Sequence, residues 1–220
     1  MALVVNIRIL VCFSILLSGC AVGGAVEISE PTISVALPED VKLDSSGVLR
    51  KGDLSLSIKP QNARVPILFI GPLLPLVPIG PGNEVGKNKP FNVIIQLEVA
   101  SPGYTFNPRS VKLYFAETTY SPVKAWGPLT QTNRALEIAR ASPGHNWVCT
   151  DGATNRTTVD TSVAIPPKSC FVLEFPLTTL TPSEGFQVEL RGLSHDGNEF
   201  TLPRIDFRSG HWAGLSILGN

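Results

Sequence analysis

Along most of the chain apolar and polar residues alternate with a period of two, the spacing that turns successive side chains to opposite faces of a half-buried strand. Leu54, Leu56 and Ile58 alternate with Ser55 and Ser57, and Ile33, Val35 and Leu37 repeat the pattern. The clearest run sets Phe91, Val93, Ile95, Leu97 and Val99 against Asn92, Gln96 and Glu98, and Ser101-Pro102-Gly103 ends it. Val111, Leu113 and Phe115 form another strand candidate, as do residues 170–175. Near the carboxyl end Phe186, Val188 and Leu190 alternate with Gln187, Glu189 and Arg191; Asp196-Gly197 then supplies a tight-turn pair. Phe200, Leu202, Ile205 and Phe207 make the return strand, with Pro203 marking a bulge or an edge. Residues 134–140, after Thr132-Asn133, fit either a short capped helix or a strand, and the helix or turn is preferred. Many short strands with Pro- and Gly-rich connections predict an all-β protein, an immunoglobulin-like antiparallel β-sandwich; a β-barrel and an irregular α+β fold are the alternatives.

One stretch breaks the alternation. Residues 65–81 carry no charge and no polar side chain, and Pro66, Pro72, Pro75, Pro78 and Pro81 interrupt them. Prolines exclude a continuous helix and a central strand. From Pro72 they recur at every third residue, the turn of a polyproline II helix, so an apolar rod is expected. Leu73, Leu76 and Ile79 would line one edge of it, Leu74 and Val77 another. Leaving its large side chains in water would forgo on the order of 15 kcal/mol, more than a typical domain's net stability. Something must cover it: the protein's own sandwich, a lipid surface flanked by Arg64, Lys87 and Lys89, or a partner protein.

The first twenty residues carry a different signal. Arg8 precedes an apolar run over residues 9–17, and Leu17-Ser18-Gly19-Cys20 follows. This pattern resembles that of bacterial lipoprotein precursors. The resemblance implies that residues 1–19 are a cleaved leader and that Cys20 receives a diacylglyceryl group and fatty acid, such as palmitate. Ala21 after the Cys resembles the outer-membrane sorting signal of enterobacterial lipoproteins. An ordinary secretory leader and an uncut anchor are the alternatives, the latter opposed by Asn6 and Arg8, which leave fewer than the ~20 apolar residues of a spanning helix. On this division residues 20–32 are a lipidated Cys and a short tether reaching at most about 40 Å. Residues 33–208 are a single sandwich domain and 209–220 a tail.

Composition narrows the remainder. The chain has 220 residues and zero formal charge with its cations scattered, so no footprint for nucleic acid appears. Apolar residues make up 43% and charged residues only 16%, below the usual ~25%. With Cys12 in the leader and Cys20 acylated, Cys149 and Cys170 form an even pair in an exported chain, which reads as a disulfide contributing on the order of 3 kcal/mol; two buried thiols are the alternative. Catalytic signals are weak. His145, His195 and His211 lie far apart, Gly-x-Ser-x-Gly and His-Glu-x-x-His are absent, and residues 82–88 fail as a phosphate loop because Asn88 stands where Ser or Thr is needed. No metal or cofactor is predicted. Trp126, Trp147 and Trp212 fit a core or rim better than a sugar platform. The expectation is a non-enzymatic, membrane-anchored envelope protein, an interaction or scaffold module whose contact loop meets a protein partner or a lipid surface. A glycan- or small-molecule-binding lipoprotein is the alternative, and a periplasmic enzyme the third.

Overall fold

The computed structural model of the protein describes residues 20–33, 37–45, 47–72, 77–80, 89–130 and 157–218. Their strands form three antiparallel sheets. The strongest alternation in the sequence becomes the middle of one of them. β7 (Pro90–Val99) turns Phe91, Val93, Ile95, Leu97 and Val99 inward, none more than 5% exposed. On one side it pairs with β4 (Leu54–Pro60), which adds Leu54, Leu56 and Ile58 to the same core. On the other it pairs with β13 (Lys168–Thr178), which adds Phe171, Leu173 and Phe175. β3 (Val48–Lys51) and β2 (Val41–Leu43) extend this sheet beyond β4, and β11 (Lys124–Thr130) extends it beyond β13.

A seven-stranded sheet faces it, in the order β10 (Thr118–Tyr120), β9 (Lys112–Phe115), β14 (Phe186–Glu189), β17 (Ile205–Leu218), β1 (Cys20–Thr32), β5 (Arg64–Pro72) and β6 (Val77–Gly80). A smaller sheet holds β12 (Val163–Ala164), β8 (Tyr104–Phe106), β15 (Leu193–His195) and β16 (Asn198–Phe200). Aromatic rings join the layers. Phe91 meets Phe186 edge-on at 5.3 Å and Phe186 stacks on Phe207 at 5.0 Å, while Phe106 meets Phe171 at 5.0 Å. One buried apolar cluster runs through all three sheets, as an antiparallel sandwich requires.

The carboxyl hairpin is present but divided. Asp196 and Gly197 both have positive φ, +50° and +80°, the turn that matches strand twist. Phe186 pairs with Phe207 and Val188 with Ile205 in the seven-stranded sheet, whereas Leu193 pairs with Phe200 in the small one. The chain changes sheet at Gly192, whose φ is +75° and where an added Cβ would lie 2.9 Å from Ser110. A second hairpin, β9 to β10, turns on Ala116 and Glu117, also at positive φ.

Three expectations are corrected. Residues 21–32 are not a tether: they belong to β1, which lies between β17 and β5 inside the seven-stranded sheet. Residues 209–218 are not a tail, because β17 continues through them against β1. The described part of the expected rod, residues 65–72 and 77–80, is not a polyproline helix but two strands. β5 and β6 pair with each other at Leu68/Gly80, Phe69/Pro78 and Ile70/Val77. A polyproline helix leaves every backbone polar group to solvent, whereas a ladder pairs those of an apolar segment internally. The prolines fall where a sheet tolerates them: Pro66 beside a register shift, Pro72 at a strand end, Pro78 on an edge strand. Val77 and Ile79 lie on β6. Leu73, Leu74, Leu76, Cys149, His145, Trp147, residues 1–19, 34–36 and 82–88 and the expected helix at 134–140 fall outside the described residues.

Candidate functional site

β1, β17 and β5 outrun the rest of their sheet because they continue past the core. On β17 the last buried apolar side chain of the cluster is Phe207; Arg208, Ser209 and His211 after it are exposed. Glu30, exposed on β1, folds across Gly210, where any side chain would collide with it. The Ser209 hydroxyl donates to Glu27 Oε1 at 2.9 Å. Glu27 stands in register with His211 on β17 and Arg64 on β5, so one acid and two bases form a row across three strands. The register shifts at this row: Ala25 faces Ile67 but Glu27 faces Arg64, giving β5 one extra residue beside Pro66.

Beyond the row the chemistry changes. Val26 faces Trp212; Ala25 lies between Ile67 and Ala213; Gly24 lies between Leu68 and Gly214. Then follow Gly23 with Phe69 and Leu215, Val22 with Ile70 and Ser216, Ala21 with Gly71 and Ile217, and finally Cys20 with Pro72 and Leu218. β6 widens three of these rows. None of these residues is charged, and Ser216 is the one with a polar side chain. Since successive residues alternate between faces, both faces of this four-stranded ribbon lack charge. Seven residues at ~3.3 Å carry it about 23 Å beyond the charged row. Among the described residues, β14 pairs with β17 only at residues 205–207, and no strand pairs with the outer edge of β6. Among the described residues the ribbon therefore has two open edges, and its rows carry no charged side chain. Cys20 is the first residue of β1, at the end remote from the body. No helix among the described residues is long and apolar enough to cross a membrane, which leaves strands untouched as a means of doing so.

The other singled-out residues do not converge. Cys170 is fully buried on β13, opposite Leu129 of β11. Trp126 is half-buried on β11, with Lys124 Nζ 6.0 Å from its ring. His195 stacks on Tyr104 at 4.0 Å, and its Nε2 lies 3.7 Å from the Asp196 carboxylate. Around this pair is a cluster with no sequence signature. Tyr104 donates to Asp53 Oδ1 at 2.5 Å and Ser101 donates to Oδ2. The Ser101 and Tyr104 bonds hold the Asp53 carboxyl below its usual range. Burial, then the Asp53 bond, pushes the Tyr104 phenol up to about 12. Ser101 and Tyr104 both donate to the Asp53 carboxylate, so the cluster fastens the turn at Asp53 to the segment from Ser101 to Tyr104.

A second cluster lines a cleft of about 390 Å3 on the outer side of β9, β14 and β17. Tyr114 donates to Glu189 Oε2 at 2.5 Å, Arg191 lies 3.0 Å from the same oxygen, and Arg204 sits 3.8 Å over the Tyr114 ring. Arg204 donates to Gln187, which donates to Asp206. Burial works to raise the Glu189 carboxyl, but the bonds from Tyr114 and Arg191 outweigh it and hold it low. Tyr114, Gln187, Arg204 and Asp206 of this cleft are thus engaged with neighbouring side chains. Among the described residues no three His, Cys, Asp or Glu side chains are grouped to hold a metal. No protein-family model, curated protein or solved structure matches the chain.

Proposed function

We propose that the protein is a non-enzymatic envelope lipoprotein: a β-sandwich scaffold or interaction module held at a membrane by acyl chains on Cys20 and by the uncharged ribbon that starts there. One observation carries this reading. Cys20, the lipid acceptor of the Leu17-Ser18-Gly19-Cys20 motif, opens the strand whose next six residues, and the strands beside them, carry no charge until the row of Glu27, Arg64 and His211. Acyl chains and ribbon then act on the same bilayer. A single acyl chain binds only marginally, so apolar protein surface at the same end adds to the anchor. Trp212 lies next to the charged row, the level at which aromatic residues gather at membrane interfaces. The contact element is thus the sheet made by β1, β17, β5 and β6.

Ala21 favours the outer membrane where the cell has two. An immunoglobulin-like class for the body and a Cys149–Cys170 bridge belong to the same proposal. For the bridge, the support is position: the chain leaves β11 at Thr130, paired with Ser169, and returns at Thr157, whose carbonyl accepts from the Gly127 amide at 3.1 Å. One end of the segment that contains Cys149 therefore lies next to Cys170, and the other lies one strand away across β11. The test is metabolic labelling with a fatty-acid probe. Wild type should incorporate label, and Cys20→Ala should lose it and retain its leader. Undiminished label in Cys20→Ala would overturn the anchor.

A further inference from the structure

The cleft outside β9, β14 and β17 holds one cation that its surroundings leave unused. Tyr114, Gln187, Arg204 and Asp206 engage their neighbours, but Arg208 makes no hydrogen bond or ion pair among the described residues. Its directly opposed neighbour across the β1–β17 ladder is an acid, Glu30, and opposite charges so placed ordinarily pair. Glu30 instead lies over Gly210, and the Arg208 side chain stays exposed. Resting on the membrane reading above, we propose that this cleft binds the phosphate of an anionic lipid headgroup, with Arg208 and Arg204 as its two cationic contacts.

Arg204 is prepared for that role. Its guanidinium lies 3.8 Å over the Tyr114 ring, and a bond from Nη1 to Gln187 fixes its plane. A guanidinium is a fork of several N–H donors, and the rest of this one has no acceptor among the described residues, since Glu189 is already held by Arg191 and Tyr114. A planar fork matches the oxygens of a phosphate, and one already ordered loses little freedom on binding. Arg204, just before β17, and Arg208 on it lie an even number of residues apart, which turns both to one face, and both line the cleft. Asp206 between them is 7% exposed and accepts from Gln187, so its carboxylate is buried while both arginines are exposed. Glu117, on the β9–β10 turn, is the one exposed acid of the lining. Position selects a lipid over a free anion. Arg208 stands three residues, about 10 Å, on the body side of the row of Glu27, Arg64 and His211, beyond which the uncharged rows begin. A phosphate held there sits at the level of headgroups when those rows meet hydrocarbon, and a negatively charged headgroup matches the cleft's excess of exposed cations.

The experiment measures binding of phosphatidylglycerol to the full-length, processed chain in non-ionic detergent micelles, with phosphatidylcholine and inorganic phosphate as separate titrants. Wild type should bind phosphatidylglycerol at least about tenfold more tightly than either, and Arg204→Gln/Arg208→Gln should lose that preference. Glu117→Gln, which removes the exposed acid and leaves both arginines, should tighten binding, so that a double variant that misfolds does not decide the matter. Inorganic phosphate bound as tightly as phosphatidylglycerol would mean a site for free anions and overturn the lipid. Equal binding by wild type and a folded double variant, or no gain in Glu117→Gln, would overturn the cleft. Fatty-acid labelling of the same chain separates this from the anchor: labelled wild type without the preference overturns the cleft alone, and unlabelled wild type that shows it overturns the anchor alone.

Discussion

The sandwich body and the ribbon are built from the same kind of strand and differ in what lies on either side of it. In β7 five residues face a dry core while Asn92, Gln96 and Glu98 lie on the other face, so the strand has an apolar side and a mostly polar side. In β1 between Cys20 and Val26 neither side carries a polar group. The body obtains its stability by closing two layers over aromatic rings. The ribbon pairs its four strands over rows that carry no charged side chain, and that is where it departs from the body. Between them lies the row of Glu27, Arg64 and His211, where the register of β5 also shifts.

That contrast can be tested from both sides. The largest effect is expected in the body: Phe171→Ala removes a ring with no exposure that packs on Phe106, and should cost about 3–5 kcal/mol in denaturant unfolding. Its membrane retention should persist wherever the body still folds. A smaller effect is expected in the ribbon, where Val22→Arg places a charge amid uncharged rows and should weaken bilayer seating by about 2–4 kcal/mol. Carbonate extraction should release this variant, while the denaturant midpoint of its body stays that of wild type; a shifted midpoint would mean that the two regions are not independent.

The smallest effect concerns pH. Tyr104 holds its proton to about 12 in the fold against 10.0 ordinarily, so the folded state binds more proton than the unfolded one in that window, and stability should fall as pH rises through it. Tyr104→Phe should flatten this alkaline loss without altering membrane seating. An unchanged alkaline limb would remove the Asp53–Tyr104 contact from the account of body stability.

How much of this was legible depended on the same contrast of polar and apolar sides. β4, β7 and β9 announce themselves because polar residues alternate with those that meet the core, and β13 reads as a short apolar run whose second face, with Cys170 and Val172, is buried as well. Asp196-Gly197 announces its turn because an Asp-Gly pair readily takes positive φ. Ala116-Glu117 makes a similar turn from residues that give no such hint, and so the β9–β10 hairpin went unseen. β11 was hidden by Gly127-Pro128 in its middle, where its register with β13 also slips. The ribbon was the least visible part for a simple reason. Periodicity marks a strand only when its two sides differ, and Gly23-Gly24, Ala25, Pro66 and Pro72 read as tether or rod when the strands that flank them are unknown. The motif that ends at Cys20 is a local signal, but the pairing of Cys20 with Leu218, nearly two hundred residues away, has no local trace.

That pairing brings Cys20 and the carboxyl end of β17 to one pole of the molecule. Affinity handles and fluorescent fusions are commonly appended to a carboxyl terminus, and here one would be carried to the pole where Cys20 lies. The exposed hairpin turns at Gly52 and Gly197, where an added Cβ meets nothing within 4 Å, offer insertion points away from the β1–β17 pairing.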